Sequence, residues 1–136
     1  MKALVITRPA TIELKDVPRP ERADQCLIRV RRAGICGTDL HIYEWDEWAR
    51  SRIRPPLVLG HEFCGTIVDV GTHVTQVATG DFISGEGHIA CGQCHSCRNG
   101  AFHICERLRV IGVDRDGAFA EFVAMPAGNA WKLDES

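Results

Sequence analysis

The sequence predicts a mainly β fold with short helices, in the form of a small, irregular β-barrel or sandwich. Apolar and polar residues alternate over several short segments, as they do in strands with one buried face. Thirteen glycines and six prolines interrupt these segments at short intervals. No segment has the strand–helix–strand order that builds a parallel sheet. At 136 residues, the chain is predicted to form one domain.

The first half of the chain supplies four extended segments and one helical segment. Three alternating segments that end at glycine or proline are predicted strands: 2–7, 11–17 and 26–33. Residues 38–50 lack alternation and are predicted to hold one or two helical turns. The pair Pro55–Pro56 favours extended chain, which leads into an apolar segment at 57–59.

The second half contains further strands and a turn signal. Residues 67–70 and 81–84 are predicted strands, each followed by a glycine. The sequence Asp-Arg-Asp-Gly at 114–117 separates apolar residues 110–113 from an alternating segment at 118–125. A turn signal between two such segments predicts a β-hairpin.

Charge and the N-terminus exclude several classes of partner. Acidic and basic residues are interleaved and the formal net charge is −2, so no basic stripe is available to bind nucleic acid. The apolar run at 3–6 is too short for a signal-peptide core or a membrane span. We therefore expect a cytoplasmic protein with reduced thiols and no membrane partner.

Four of the seven cysteines have the spacing C-x2-C-x2-C-x7-C: Cys91, Cys94, Cys97 and Cys105. Two-residue gaps let neighbouring thiolates turn towards one ion, and the longer gap closes a tetrahedron. Zn²⁺ suits four thiolates, which leave no open position, so we predict a structural zinc lobe at about 88–106. A redox-active or iron–sulfur site is the alternative. His95 and His103 are interpreted as exposed loop residues.

Cys36 and His61 form a second candidate metal site. Cys36 follows one predicted strand, His61 precedes another, and a glycine adjoins each of them. Glycine permits sharp bends that can point both side chains into one cleft. Each residue alone is more often a buried cysteine or a hydrogen-bonded histidine. Together, and beside the cysteine lobe, they predict an open, catalytic zinc site.

Five motifs in this order resemble the zinc-dependent medium-chain alcohol dehydrogenase family: GICGTD at 34–39, GHEFCG at 60–65, GD at 80–81, the four cysteines, and FAEF at 119–122. The resemblance runs through essentially the whole chain. It implies that residues 1–136 are the GroES-like catalytic domain of this family, a distorted β-barrel. It also implies two Zn²⁺ ions per subunit, one catalytic and one structural.

The resemblance implies a role for each matching residue. Cys36 and His61 would bind the catalytic zinc, and Glu62 would enter its coordination sphere or be displaced by water and substrate. Asp39 would orient His61 through the second ring nitrogen, with a helix N-terminal carboxylate as the alternative. Thr38 would hydrogen-bond the substrate hydroxyl.

The resemblance also implies that His41 passes the proton outward through the cofactor ribose, and the spacing is compatible with this because residues three apart share a helical face. A capping role for Thr38 and an exposed position for His41 are the alternative. The resemblance places a further zinc ligand beyond the end of this chain.

Two further segments resemble the threonine dehydrogenases of bacteria within this family: HIYEWDEW at 41–48 and SGEGH at 84–88. They imply oxidation of the 3-hydroxyl of L-threonine to 2-amino-3-ketobutyrate with NAD⁺, and His88 as a candidate substrate-pocket residue. Trp45 and Trp48 are interpreted as packing on one helical face, as pocket wall, or as both. A sorbitol-type polyol dehydrogenase is the alternative substrate class, and a zinc-stabilised binding module is the alternative without catalysis.

The family's Rossmann domain is not recognisable in this sequence. The G-x-G-x-x-A match at 85–90 runs into the cysteine cluster and opens no helix, so it is rejected as a nucleotide site. We therefore expect no cofactor-binding residue in this chain, which would be a nearly inert part of a longer enzyme. Its partners would be the Rossmann domain of the same parent and the other subunits of a homo-oligomer, a tetramer by resemblance. Cys26 and Cys64 are predicted to be buried thiols that bind no metal.

Overall fold

The structure, a computed structural model, describes residues 1–21 and 25–134. The strands in these ranges are β1 (Lys2–Arg8), β2 (Thr11–Asp16), β3 (Cys26–Gly34), β4 (Leu57–Val58), β5 (Glu62–Val70), β6 (Phe82–Gly85), β7 (His88–Ile89), β8 (Arg109–Val110), β9 (Phe122–Met125) and β10 (Ala130–Lys132). The helices are α1 (Gly37–Glu44), α2 (Glu47–Arg52) and α3 (His95–Arg98), with 3-10 turns at Phe102–Ile104 and Ala127–Asn129. The predicted mainly β fold is confirmed.

The strands form three antiparallel sheets. The largest has the order β10-β6-β5-β3-β9, and the others have the orders β2-β1-β4 and β7-β8. Backbone hydrogen bonds from Leu4 to Phe119 and from Val30 to Glu121 let one segment contact both larger sheets. This shared segment closes the sheets into an irregular barrel.

Two apolar clusters fill the barrel and attach the helices to it. Residues with no exposed surface, among them Ile28, Ile83 and Met125, pack inside the large sheet. A second cluster packs Ile42 of α1 and Ile53, which follows α2, against Ile6 of β1. Burial of these isoleucines holds the α1–α2 segment against the three-stranded sheet β2-β1-β4.

The α1–α2 segment is more helical than the sequence predicts, and a single residue divides it. Trp45 ends α1 in the left-handed region, at φ 55°, and Asp46 then caps α2 by accepting a hydrogen bond from the Ala49 N–H. Trp48 therefore belongs to α2. The interpretation that Trp45 and Trp48 share one helical face is wrong.

The predicted hairpin across residues 114–117 is also wrong, because β8 pairs with β7 whereas β9 pairs with β3. The turn exists, but the Asp114 carboxylate accepts hydrogen bonds from the Val110 N–H at 2.8 Å and from Arg52 at 2.6 and 2.7 Å. Burial alone would raise the pKa of Asp114, but these donors outweigh it and hold the pKa below its ordinary value. Asp114 therefore attaches the turn to Arg52 of α2. The residues after the turn, Ala118 and Phe119, donate backbone hydrogen bonds to Gly60 and Leu59, which follow β4.

Gly60 allows a close backbone approach beside the second candidate metal site. Its φ is +92°, and a Cβ there would lie 2.5 Å from the Phe119 ring and 2.6 Å from the Phe119 nitrogen.

We expect Gly60→Ala to lower the free energy of unfolding by about 1–3 kcal/mol, because the backbone must move to admit the methyl group. Chemical denaturation measures this. Gly80→Ala is the matched control, since Gly80 has φ +98° but open space around it. Equal losses in the two variants would contradict the close-approach explanation.

Two of the exclusions made from the sequence can be compared with the fold. Within the two described ranges, no helix is long and apolar enough to cross a membrane. Gly85 ends β6 and Gly87 lies between β6 and β7, and the next helix, α3, begins only at His95. The segment therefore runs from strand to strand, and its rejection as a nucleotide site stays a prediction.

Candidate metal centres

The four lobe cysteines converge on one point. The sulfur atoms of Cys91, Cys94, Cys97 and Cys105 all lie within 4.8 Å of one another. The Cys91–Cys97 and Cys94–Cys105 sulfur separations are 4.0 and 3.9 Å. Thiolates on one tetrahedral Zn²⁺, with bonds of about 2.3 Å, lie roughly 3.8 Å apart, whereas disulfide sulfurs lie about 2.05 Å apart. The geometry therefore fits a four-thiolate zinc site and excludes disulfides between these pairs.

The lobe thiols differ strongly in acidity. Backbone N–H groups of Gln93 and Cys94 lower the pKa of Cys91 to about 6. Burial and the neighbouring thiols raise the pKa of Cys97 to about 12. Because four thiolates this close repel one another, a divalent cation is the simplest group that would stabilise all four in the ionised form.

The other cysteines and the lobe histidines lie outside the metal groups of the described chain. His95 and His103 are exposed, as expected, and the His95 ring lies 3.3 Å from the Asn99 amide. Cys26 is fully buried, and desolvation raises its pKa. Cys64 is only half-buried, in contrast to its expected burial.

Cys36 and His61 meet at the N-terminus of α1. The Cys36 sulfur lies 2.8 Å from His61 Nε2, and these atoms form a group with Asp39 within 4.8 Å. Cys36 is also the N-cap of α1, where its sulfur accepts a hydrogen bond from the Thr38 N–H at 3.3 Å. The sulfur–nitrogen separation is shorter than the roughly 3.5 Å expected for two ligands of one zinc ion, so metal binding requires the two atoms to part slightly.

Asp39 caps α1 with one oxygen and faces His61 with the other, so its role in orienting His61 stays a prediction. Its Oδ2 accepts a hydrogen bond from the Cys36 N–H at 3.0 Å and so caps α1. Its Oδ1 lies 3.7 Å from His61 Nδ1, and both of these buried atoms lack a hydrogen-bond partner. Buried polar atoms without partners are uncommon. A metal on Nε2 would keep the proton on Nδ1, facing Asp39, so the donor set fits a bound cation.

The positions of Glu62, Thr38 and His88 do not by themselves assign these residues a role at the site. Glu62 begins β5, is exposed, and lies outside the group of Cys36, Asp39 and His61. Thr38 is half-buried in the first turn of α1. The His88 side chain is 61% exposed, and its Nδ1 lies 2.7 Å from Glu86 Oε1. The roles assigned to these three residues stay predictions.

His41 contacts a residue to which the sequence analysis gave no role. Its Nδ1 lies 2.6 Å from Asp46 Oδ2, and its ring meets Trp48 edge-on with 6.2 Å between centroids. Asp46 could have been noticed from sequence as a helix-capping residue between two tryptophans. Its contact with His41 depends on the left-handed turn at Trp45, which the sequence does not reveal.

A cavity of about 650 Å³ lies apart from both metal centres. Its walls include Val5, Val17, Arg19, Arg115 and Phe122, and none of the candidate metal ligands contributes to it. The candidate chemistry therefore lies at the N-terminus of α1 and in the cysteine lobe, and not in this cavity.

Comparison with known proteins agrees with this architecture. The L-threonine 3-dehydrogenase of Bacillus licheniformis is 52% identical over 136 residues, which cover 97% of this chain and 39% of that protein. An alcohol dehydrogenase from Thermus sp. ATN1 superposes with a TM-score of 0.83 at 37% identity, over 98% of this chain and 40% of that one. An alcohol dehydrogenase from E. coli CFT073, complexed with NADH, superposes with a TM-score of 0.89 at 35% identity, over 100% of this chain and 39% of that one.

The chain spans only about 39% of the length of this curated relative. The family model for the alcohol dehydrogenase GroES-like domain matches residues 22–135, which include both candidate metal centres and most of the barrel. The chain belongs to the alcohol dehydrogenase GroES-like domain family.

Proposed function

We propose that residues 1–136 are the zinc-binding catalytic part of an NAD-dependent L-threonine 3-dehydrogenase. The observation that carries this proposal is the convergence of Cys36, His61 and Asp39 at the start of α1. It is supported by 52% identity to the Bacillus licheniformis enzyme. The reaction would convert L-threonine and NAD⁺ to 2-amino-3-ketobutyrate and NADH.

Cys36 and His61 would hold the catalytic zinc, with Glu62 as an adjacent carboxylate. When bound, zinc supplies Lewis acidity, which lowers the pKa of a coordinated hydroxyl group. Asp39 Oδ1, which faces His61 Nδ1 at 3.7 Å, would keep the proton on that nitrogen, so that Nε2 would present its lone pair to the metal. Little water reaches this pair, since the side chains of His61 and Asp39 are only 11% and 7% exposed.

The substrate alcohol must lose a proton and a hydride. Thr38 would take the hydroxyl proton through its own hydroxyl group, and His41, on the same face of α1, would pass it outward. The hydride would go to the nicotinamide ring of NAD⁺, held by a Rossmann domain of the longer protein. His88 would line the substrate pocket on the β7 side.

The four-cysteine lobe would hold the second zinc in a structural role, because four thiolates leave no position for substrate. The longer enzyme would be a cytoplasmic homo-oligomer, a tetramer by resemblance to the family. The 39% share of the Bacillus licheniformis enzyme that this chain covers supports only the greater length of the whole protein.

In the longer enzyme, we expect Thr38→Ala to lower turnover by about 10²–10⁴-fold, the usual size of a general acid–base contribution. Zinc content should not change, because the Thr38 contact with Cys36 is made by its backbone N–H. The measurements are NADH absorbance with L-threonine and metal analysis. Thr38→Ser is the matched control, since it keeps the hydroxyl group. Near-normal turnover in Thr38→Ala would contradict the relay.

The same assay decides the substrate class. The unsubstituted enzyme should turn over L-threonine with a higher kcat/KM than sorbitol. A preference for sorbitol would replace the threonine proposal by a polyol dehydrogenase, and turnover of neither alcohol would favour a binding module without catalysis.

A further inference from the structure

We propose that Asp46 is a positioning residue that fixes the tautomer of His41. It would hold the ring proton on Nδ1 and leave Nε2 as the atom that accepts a proton. The assignment of the tautomer rests on the contacts of these two residues alone. Its use in a proton relay rests on the proposed function.

Both oxygens of the Asp46 carboxylate are engaged. Oδ1 accepts the hydrogen bond of the Ala49 N–H at 2.9 Å, and Oδ2 lies 2.6 Å from His41 Nδ1. The Ala49 N–H is the largest cause that holds the pKa of Asp46 below its ordinary value, and the bond to His41 adds to it. An ionised carboxylate can only accept, so the hydrogen atom in the short contact must lie on His41 Nδ1.

The chain around this pair restricts the ring of His41. The His41 carbonyl accepts a hydrogen bond from the Asp46 N–H at 3.3 Å, which closes the turn between the two residues. Arg50 is engaged elsewhere, since its Nε donates to the Trp45 carbonyl at 2.9 Å. Trp48 meets the ring edge-on. A histidine that is 58% exposed would otherwise sample several rotamers, so these contacts select one.

The consequence is directional. In a neutral imidazole one nitrogen donates and the other accepts, and the partner of the first decides which. With Nδ1–H bound to Asp46, Nε2 is the acceptor. The same carboxylate caps α2, so the N-cap residue of α2 determines the tautomer of His41 on α1.

Two substitutions separate the cap from the tautomer. Asp46→Asn keeps the cap, because asparagine and aspartate are comparable N-caps, but its amide group donates to Nδ1 and so favours the Nε2–H tautomer. Asp46→Ser also keeps a cap, but its side chain is too short to span the contact with His41. We expect each variant to lose no more than about 1 kcal/mol of stability.

The test on the 136-residue chain is nitrogen NMR of the His41 ring, at a pH above the titration of the imidazole. We expect Nδ1–H to predominate in the unsubstituted chain, Nε2–H in Asp46→Asn, and a mixture in Asp46→Ser. Thermal unfolding confirms that all three are folded. A predominant Nε2–H tautomer in the unsubstituted chain, or no change in Asp46→Asn, would overturn the proposal.

The longer enzyme then separates this proposal from the proposed function. Asp46→Asn should lower kcat/KM by at least about tenfold, within the range of general acid–base contributions, and should have no further effect in a His41→Ala background. An equal loss in that background would assign Asp46 a structural role and overturn its positioning role. If the tautomer changes as expected but His41→Ala keeps full turnover, the positioning of His41 stands and the proposed relay fails.

Discussion

Replacing Cys97 by serine should remove one equivalent of zinc and unfold the segment from Cys91 to Cys105. This segment has little else to hold it. Its regular structure is a four-residue α3 and a three-residue 3-10 turn, and the buried cluster at its centre consists of cysteines. Phe102 and Ile104 are 54% and 61% exposed and contribute little burial. The free energy of metal binding is then free energy of folding, and it is about 10–16 kcal/mol in structural zinc peptides.

Metal analysis and limited proteolysis measure this loss, with cleavage expected between Cys91 and Cys105 in the variant. Cys64→Ser is the matched control, since Cys64 is half-buried but lies outside both metal groups of the described chain. It should keep the full zinc content and an intact lobe. A Cys97→Ser chain with unchanged zinc content and thermal stability would rule out the four-thiolate site.

The sequence predicts those parts of the fold that depend on short-range order. Alternation at 2–7, 11–17 and 26–33 corresponds to β1, β2 and β3 within one residue at their ends. In β1 the buried residues Ala3 and Val5 alternate with exposed ones, as a period of two requires, whereas β2 has no buried residue and β3 begins with three in a row. The C-x2-C-x2-C-x7-C spacing is also a short-range signal, because the four cysteine sulfurs converge within 15 residues of chain.

The sequence fails where a long-range partner decides the structure. Residues 114–117 do form a turn, yet Arg52, 62 positions away, draws Asp114 towards α2. The two flanks of the turn then pair with other strands, and no hairpin forms. A turn signal describes four residues, but strand pairing depends on what lies beside them.

The candidate site shows the same division. Motif resemblance selects Cys36, His61 and Asp39, and the structure brings them together. It leaves Glu62 exposed at the start of β5. Asp46 was missed because its contact with His41 needs Trp45 in the left-handed region, a conformation that tryptophan rarely adopts. No sequence pattern encodes such a residue.

The 136-residue chain, loaded with zinc at both centres, should not oxidise L-threonine. Hydride transfer requires the nicotinamide carbon to be held against the reacting carbon, and such orientation is worth roughly 7–11 kcal/mol of barrier. This sequence carries no strand–GxGxxG–helix unit to bind the dinucleotide. Calorimetric titration with NAD⁺ should therefore show weak binding or none, and an NADH absorbance assay with L-threonine should show no turnover. A longer protein that includes a Rossmann domain is the positive control.

The exposure of the site gives a second reason for the same result. Ile35, which precedes α1, and Leu40 and Tyr43, which lie on it, are 75%, 57% and 66% exposed. Water therefore reaches the region where Thr38 and His41 would act, and charge that develops there is screened by solvent. Under the proposed function, dinucleotide binding and the exclusion of water would both need residues beyond these 136. Tight, saturable NAD⁺ binding by the 136-residue chain would place a cofactor site within it, and turnover near that of the longer protein would show that these exposed side chains already complete the catalytic centre.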